Sequence, residues 1–212
     1  MSIRPILTFP NSLLRKRAKP VKKIDSDIMN LIKDMKDTLT EASGVGLAAN
    51  QVGVLKRVVV ILNSPESDII AYINPEITNR KGKRDVSEGC LSFPGYSGIV
   101  TRSISVTARY MNESGGKIKI TADELLSQAL EHEIDHLNGI LFLDHLKEHE
   151  KLSESNPEYR PHTHDINVSV KVQDDKYRTE FNKKLYTKVG IDDLKFALER
   201  ADILKDVEQV ND

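Results

Sequence analysis

The 212-residue chain reads as an α+β protein: antiparallel or mixed β-sheets packed around one central helix, with a ββα-like extension at the C-terminus. Three observations predict this class. Apolar residues recur at helical spacing in two places, after Ser26 and between Thr121 and Gly139. Between them lie short β-branched runs bounded by turn residues. Several strands precede the second helix in succession, the order of antiparallel sheets and not of a doubly wound βαβ fold.

In chain order, the first helix carries Ile28, Ile32, Met35 and Leu39 on one face. Gly44–Gly53 is rich in small residues and reads as a helix cap followed by a turn. No Gly-Lys-Ser/Thr follows, so it is not a phosphate-binding loop. Strands are predicted at Val58–Leu62, Ala71–Asn74 and Ser103–Tyr110, with Lys117–Thr121 pairing back across the turn Asn112–Gly116. Glu88–Pro94 reads as a loop. Thr121-Ala122-Asp123-Glu124 has the form of a capping box, Leu125, Leu126, Ala129, Leu130 and Leu137 supply a helical pattern, and Asn138-Gly139 stops it.

Beyond it, Lys147–Pro161 is charged and contains two prolines. The boundaries expected are therefore a domain over 1–150, a linker over 151–161 and an extension over 162–212. In the extension Ile166, Val168, Val170 and Val172 alternate with polar residues as in a strand, Tyr177–Tyr186 suits a second strand, and a helix from Ile191 carries Leu194, Leu198, Ala201 and Leu204. Some fifty residues bury little core by themselves, so this part is expected to pack on the rest of the chain or on a second copy.

Composition narrows the class. With 39% hydrophobic and 30% charged residues and a formal net charge of −1, the chain resembles an ordinary soluble protein and has no global basic excess for nucleic acid. One cysteine excludes an internal disulfide and suits a reducing compartment. No apolar run approaches membrane-spanning length and Met1-Ser2-Ile3-Arg4 opens no signal peptide, so the expectation is a cytoplasmic protein with neither membrane nor DNA as partner.

The strongest chemical signal is His132-Glu133-Ile134-Asp135-His136. Residues four apart share a helix face, so His132 and His136 can grip one cation, and Glu133 beside them can reach water at that cation without ligating it. This makes the second helix the central, metal-binding one. A catalytic metal needs a third ligand. Position 142 is Phe142 where the extended metzincin pattern needs a His, and Glu148, Glu150 and Glu154 lie in a stretch with no apolar face to bury a helix. Cys90 is the other candidate. A lone cysteine is usually a small buried hydrophobe, but Gly89 lets the backbone come close, and two imidazoles and a dication would stabilise a thiolate.

Gly44–Gln51, Glu88–Ser92 and the His132–His136 helix together resemble the peptide deformylase family, whose motifs are Gly-x-Gly-Leu-Ala-Ala-x-Gln, Glu-Gly-Cys-Leu-Ser and Gln-His-Glu-x-Asp-His-Leu. They occur in family order, the first two intact, and Arg15–Val21 also looks like the family's N-terminal segment; the resemblance covers roughly residues 3–148. It implies a metallohydrolase that removes the formyl group from formyl-methionyl nascent peptides as formate. The metal would be held by Cys90, His132 and His136, with water at the fourth position, and Fe(II) would occupy the site in many members, Zn(II) or another divalent ion in some. It assigns Glu133 as general base and then acid, and Gln51 and the Leu91 N–H as donors to the oxyanion. Gly46, Gly89, Gln128 and Ala129 would line the substrate site, and Glu88 would pair with Arg102.

Four positions stand out against the family pattern. Glu131 stands where a Gln is common, and is expected either to face solvent or to add negative charge near the site. Gln128 and Ala129 are less greasy than aliphatic pocket residues, and Ser97 replaces a basic residue of some members. Two other readings compete: a zinc peptidase of the His-Glu-x-x-His type, whose third ligand would not be Cys90, and a ribosome- or partner-binding module on a retained deformylase scaffold. Lys176–Lys188 interleaves cations and aromatics and would be the contact to ribosomal RNA near the tunnel exit, although a solvated strand face is the plainer reading; His162 and His164 read as a polar loop.

Overall fold

The computed structural model describes residues 2–63, 68–146, 152–154, 168–171 and 206–209. The chain divides into two compact units, one made of Met1–Leu7, Leu13–Arg84 and Thr101–Leu141, the other of Thr8–Ser12, Asp85–Val100 and Phe142–Asp212.

The first unit is a five-stranded antiparallel sheet with two helices. Strands β1 (Gly46–Ala48), β2 (Val58–Leu62), β3 (Ile69–Lys81), β6 (Ser105–Met111) and β7 (Lys117–Asp123) lie in the order β1-β2-β3-β6-β7. Helix α1 (Ser26–Glu41) starts at Asp25, whose carboxylate accepts the Ile28 N–H at 3.1 Å. It buries Ile28, Leu31, Ile32, Met35 and Leu39, the predicted face. Both α1 and α2 (Glu124–Asn138) pack on β2, and Val58–Ile61 are all buried, as an apolar run covered on both faces must be. Val59, Ile61, Tyr72 and Val106 of the sheet share one core with Ala129, Leu130 and Leu137 of α2. Helix α2 is buried almost all round, which is why its polar residues matter. Gly139 ends it at φ +78°, and a Cβ there would strike the Arg15 carbonyl.

Three elements depart from prediction. β3 runs well past Asn74, because Pro75 sits where the ladder with β6 shifts register between Ile73 and Glu76, a position that needs no backbone donor. The capping box from Thr121 does not form: Thr121 and Ala122 pair with Thr107 and Val106 in the sheet, and Asp123 is the N-cap without a side-chain bond. Gly46–Ala48 is a strand followed by a short 3-10 helix, Ala49–Val52, where a simple turn was expected.

The second unit holds a three-stranded sheet in the order β4 (Arg84–Cys90), β5 (Phe93–Arg102), β8 (Ser153–Glu154). The stretch read as a loop is thus the end of β4, the bend Leu91-Ser92 and the start of β5. Phe93 is the hub of its packing, with ring centroids 5.8 Å from Phe9, 5.6 Å from Tyr96 and 5.7 Å from Phe142. In the tail, β9 (Val168–Lys171) lies inside the predicted strand and pairs antiparallel with β10 (Asp206–Gln209). Tyr177–Tyr186, the helix from Ile191, Lys176–Lys188 and both loop histidines lie outside the described residues.

Candidate metal centre

Helix α2 brings three of the predicted groups together. His132 and His136 are 8% and 0% exposed, and their Nε2 atoms face each other at 3.2 Å. Two nitrogens about 2 Å from one tetrahedral ion lie about 3.3 Å apart, so this spacing fits a shared ligand sphere. The Cys90 sulfur completes a donor set: it and the imidazole nitrogens all lie within 4.8 Å of one another. One soft thiolate and two borderline imidazoles suit Fe(II) or Zn(II), not a hard ion such as magnesium. Phe142 is buried and takes part in the ring cluster around Phe93, so the metzincin arrangement has no counterpart here.

The backbone around each ligand is built for its place. Cys90 closes β4 immediately before the bend, and the Ser92 N–H donates to its sulfur at 3.4 Å. Gly89 lies close to the facing strand, where a Cβ would come 3.3 Å from the Tyr96 carbonyl oxygen, a tight contact. Leu91 occupies the bend itself, half-buried. The Asn50 side chain donates to the His136 carbonyl at 2.5 Å, tying the short 3-10 helix to α2. Gln51, 1% exposed, has its amide oxygen anchored by the Ala48 N–H at 2.7 Å, which leaves the NH2 end as its donor.

Gly46 has a role that the sequence did not reveal. A Cβ at this position would collide with the Glu133 carboxylate, with Cδ and Cγ both at 2.9 Å. The glycine therefore clears room for the Glu133 carboxylate. Glu133 is 3% exposed.

Glu131 corrects the expectation of a solvent-facing or active-site charge. It is 6% exposed and takes the Ser103 N–H at 2.7 Å, the Ser103 hydroxyl at 3.1 Å and Arg80 Nε at 2.9 Å. Ser127, one turn earlier, donates to the Ser103 carbonyl at 2.9 Å. This clamp pins the helix segment ahead of His132 to the sheet. Arg102 holds Asp135 at 2.6 Å, and both Arg102 and Glu88 are buried, each 4% exposed. Asp135 was visible as the aspartate of the motif, but its bond to Arg102 was not. Gln128 is half-buried, and Ala129, 7% exposed, is part of the apolar core.

The comparisons agree with this geometry. The profile of the polypeptide deformylase family matches residues 3–152. A peptide deformylase of Alkaliphilus metalliredigens is 51% identical over 144 residues, 68% of this chain and 97% of that one. The structure of a Legionella pneumophila peptide deformylase aligns with TM-score 0.67 at 45% identity, covering 69% of this chain and 87% of that one. A Met-Ala-Ser-bound class I type b peptide deformylase of Acinetobacter baumannii aligns with TM-score 0.66 at 31% identity, over 69% and 100%. A buried helix with two facing imidazoles, a cysteine at the end of a strand and a family match through both make this chain a member of the polypeptide deformylase family.

Proposed function

We propose the following division of labour for removing the formyl group from formyl-methionyl peptides, the reaction of the family to which the chain belongs. Cys90, His132 and His136 hold one divalent ion, Fe(II) by preference. When bound, that ion supplies a Lewis acid and brings the pKa of water toward neutrality. Glu133 accepts a proton from the attacking water and hands it to the methionine nitrogen as the C–N bond breaks, so one carboxylate serves as base and then acid. Charge building on the formyl oxygen is met by the NH2 of Gln51 and the Leu91 N–H, each worth about 3 kcal/mol of barrier. Gly46, Gly89, Gln128 and Ala129 border the substrate, and Glu88 and Arg102 hold the ligand-bearing segments in place.

The observation that carries this reading is the pair of Nε2 atoms facing each other at 3.2 Å, with the buried carboxylate of Glu133 one residue along. The Acinetobacter relative bound to Met-Ala-Ser supports the substrate class, since that tripeptide is what remains when its formylated form is cut. The catalytic part is residues 1–150 and the function of 162–212 is separate from the chemistry. The setting is the cytoplasm, with transient contact to the ribosome where nascent peptides emerge. No described helix is long and apolar enough to cross a membrane.

The test is formate release from formyl-Met-Ala-Ser by protein loaded anaerobically with Fe(II), beside Glu133→Ala. Turnover by the parent and a loss of about 10²-fold or more in the variant, with metal retained, is expected. A fully loaded parent that releases no formate overturns the assignment.

A further inference from the structure

Gln51 stands on a four-residue 3-10 helix, Ala49–Val52, in which every residue is buried. One such turn does not hold itself in place, because its few internal bonds scarcely offset the order they require. Its placement must come from the bonds that reach it. The Ala48 N–H donates to Gln51 Oε1 at 2.7 Å, the Gly53 N–H to the Asn50 carbonyl at 3.1 Å and the Val54 N–H to the Ala49 carbonyl at 2.9 Å. All three donors belong to the same short stretch of chain. They fix the shape of the turn and the direction of the Gln51 side chain within it, not where the turn sits.

Asn50 supplies a link outward. Its side-chain NH2 donates to the carbonyl of His136, 86 residues away, and α2 packs on the same turn. The acceptor thus belongs to a residue whose ring is part of the donor set. Asn50 is 0% exposed, and its Oδ1 has no hydrogen-bond partner among the described residues. Burying an amide with one end unmatched by protein costs more than burying an apolar side chain of similar volume. Stability alone would favour leucine at this position. What the amide adds is direction: one donor, aimed at one carbonyl of α2.

Gln51 is the next residue, so the Asn50 bond acts on it at one remove. An oxyanion donor works only when it lies about 2.7–3.1 Å from where the charged oxygen forms, and a displacement of about 1 Å can cost about 10²-fold in rate. Ala48 aims the Gln51 NH2 within its turn, and Asn50 sets that turn against the helix that carries Glu133 and both histidines. We propose that Asn50 is a positioning residue for the oxyanion donor, registering Gln51 on α2 through the His136 carbonyl. The proposal rests on the role given to Gln51 above.

The experiment is a double-mutant cycle in the full-length protein loaded anaerobically with Fe(II), reading formate release from formyl-Met-Ala-Ser. Gln51→Ala is expected to lower kcat by about 10²-fold. Asn50→Ala should lower kcat by about 10-fold, with KM within about 2-fold of the parent and metal content unchanged. In the Gln51→Ala background the Asn50 substitution should cost less than about 2-fold, because the group it positions is gone. A purely structural role would leave the two losses multiplying. Multiplying losses, metal lost from Asn50→Ala, or an Asn50→Ala kcat equal to the parent's overturns the proposal and leaves the role of Gln51 standing. A Gln51→Ala kcat equal to the parent's overturns that role, and the proposal with it. If Asn50→Ala does not fold, Asn50→Leu, which keeps the volume and lacks the donor, takes its place in the cycle.

Discussion

Helix α2 and the β4–β5 hairpin both carry residues of the proposed site, and they secure them by different means. The helix is embedded: its ligands are buried, and the segment around them is held by Glu131 on the sheet, by Arg102 on Asp135 and by Asn50 on the His136 carbonyl. Three independent contacts share the load. The hairpin has a two-residue bend whose Ser92 carbonyl accepts the Phe9 N–H at 2.8 Å, an N–H to a sulfur and a hub of rings around Phe93. Losing one polar clamp removes one contact, whereas losing the Phe93 ring removes three ring contacts together.

The largest effect should therefore come from the hairpin. Phe93→Ala is expected to cost about 3–4 kcal/mol in denaturant unfolding and to lower metal content more than any single clamp deletion on α2. Gly46→Ala attacks the helix side differently, by pushing the Glu133 carboxylate aside. Formate release should fall about 10²-fold while metal content holds, which separates a displaced base from a lost ligand. Glu131→Ala leaves the Ser103 N–H without its acceptor and should cost about 2 kcal/mol of stability; Glu131→Gln, which keeps an acceptor, should recover most of it. If Glu131→Ala strips the metal as thoroughly as Phe93→Ala, the contrast between the two regions fails.

The smallest effect appears only in alkali. Burial pushes the Tyr72 hydroxyl up to about 12, against a weaker opposing pull from its hydrogen bond to Asn63. The folded state thus holds this proton more tightly than the unfolded chain does. That stability is fully present below the unfolded pKa of about 10 and is lost as pH rises toward 12, so Tyr72→Phe should flatten the fall in unfolding free energy by about 2 kcal/mol at most over that window, read by denaturant unfolding at each pH.

What was legible follows the same division. The α2 ligands, α1 and β2 could be read because periodicity and the four-residue spacing are local facts. The hairpin could not, because Pro94, Gly95 and Gly98 break every alternation along β5 and its cohesion lies in ring contacts as distant as Phe9 and Phe142. Glu131 was misread for a related reason: Arg80 is 51 residues away in sequence, and no local pattern announces it. The family resemblance supplied the roles of Gln51 and Leu91, which no spacing rule would have produced.

The far end of α2 has a consequence in time. Leu137 accepts the Ala18 N–H, Arg57 holds Asn138, and Gly139 lies against the carbonyl of Arg15, so the last turn is stitched to the first stretch of chain to be made. During synthesis those early residues wait, unpaired, until more than half of the protein has followed them. The helix that carries both histidines is among the last pieces of its unit to be made, so that pair of donors can come together only after this late closure.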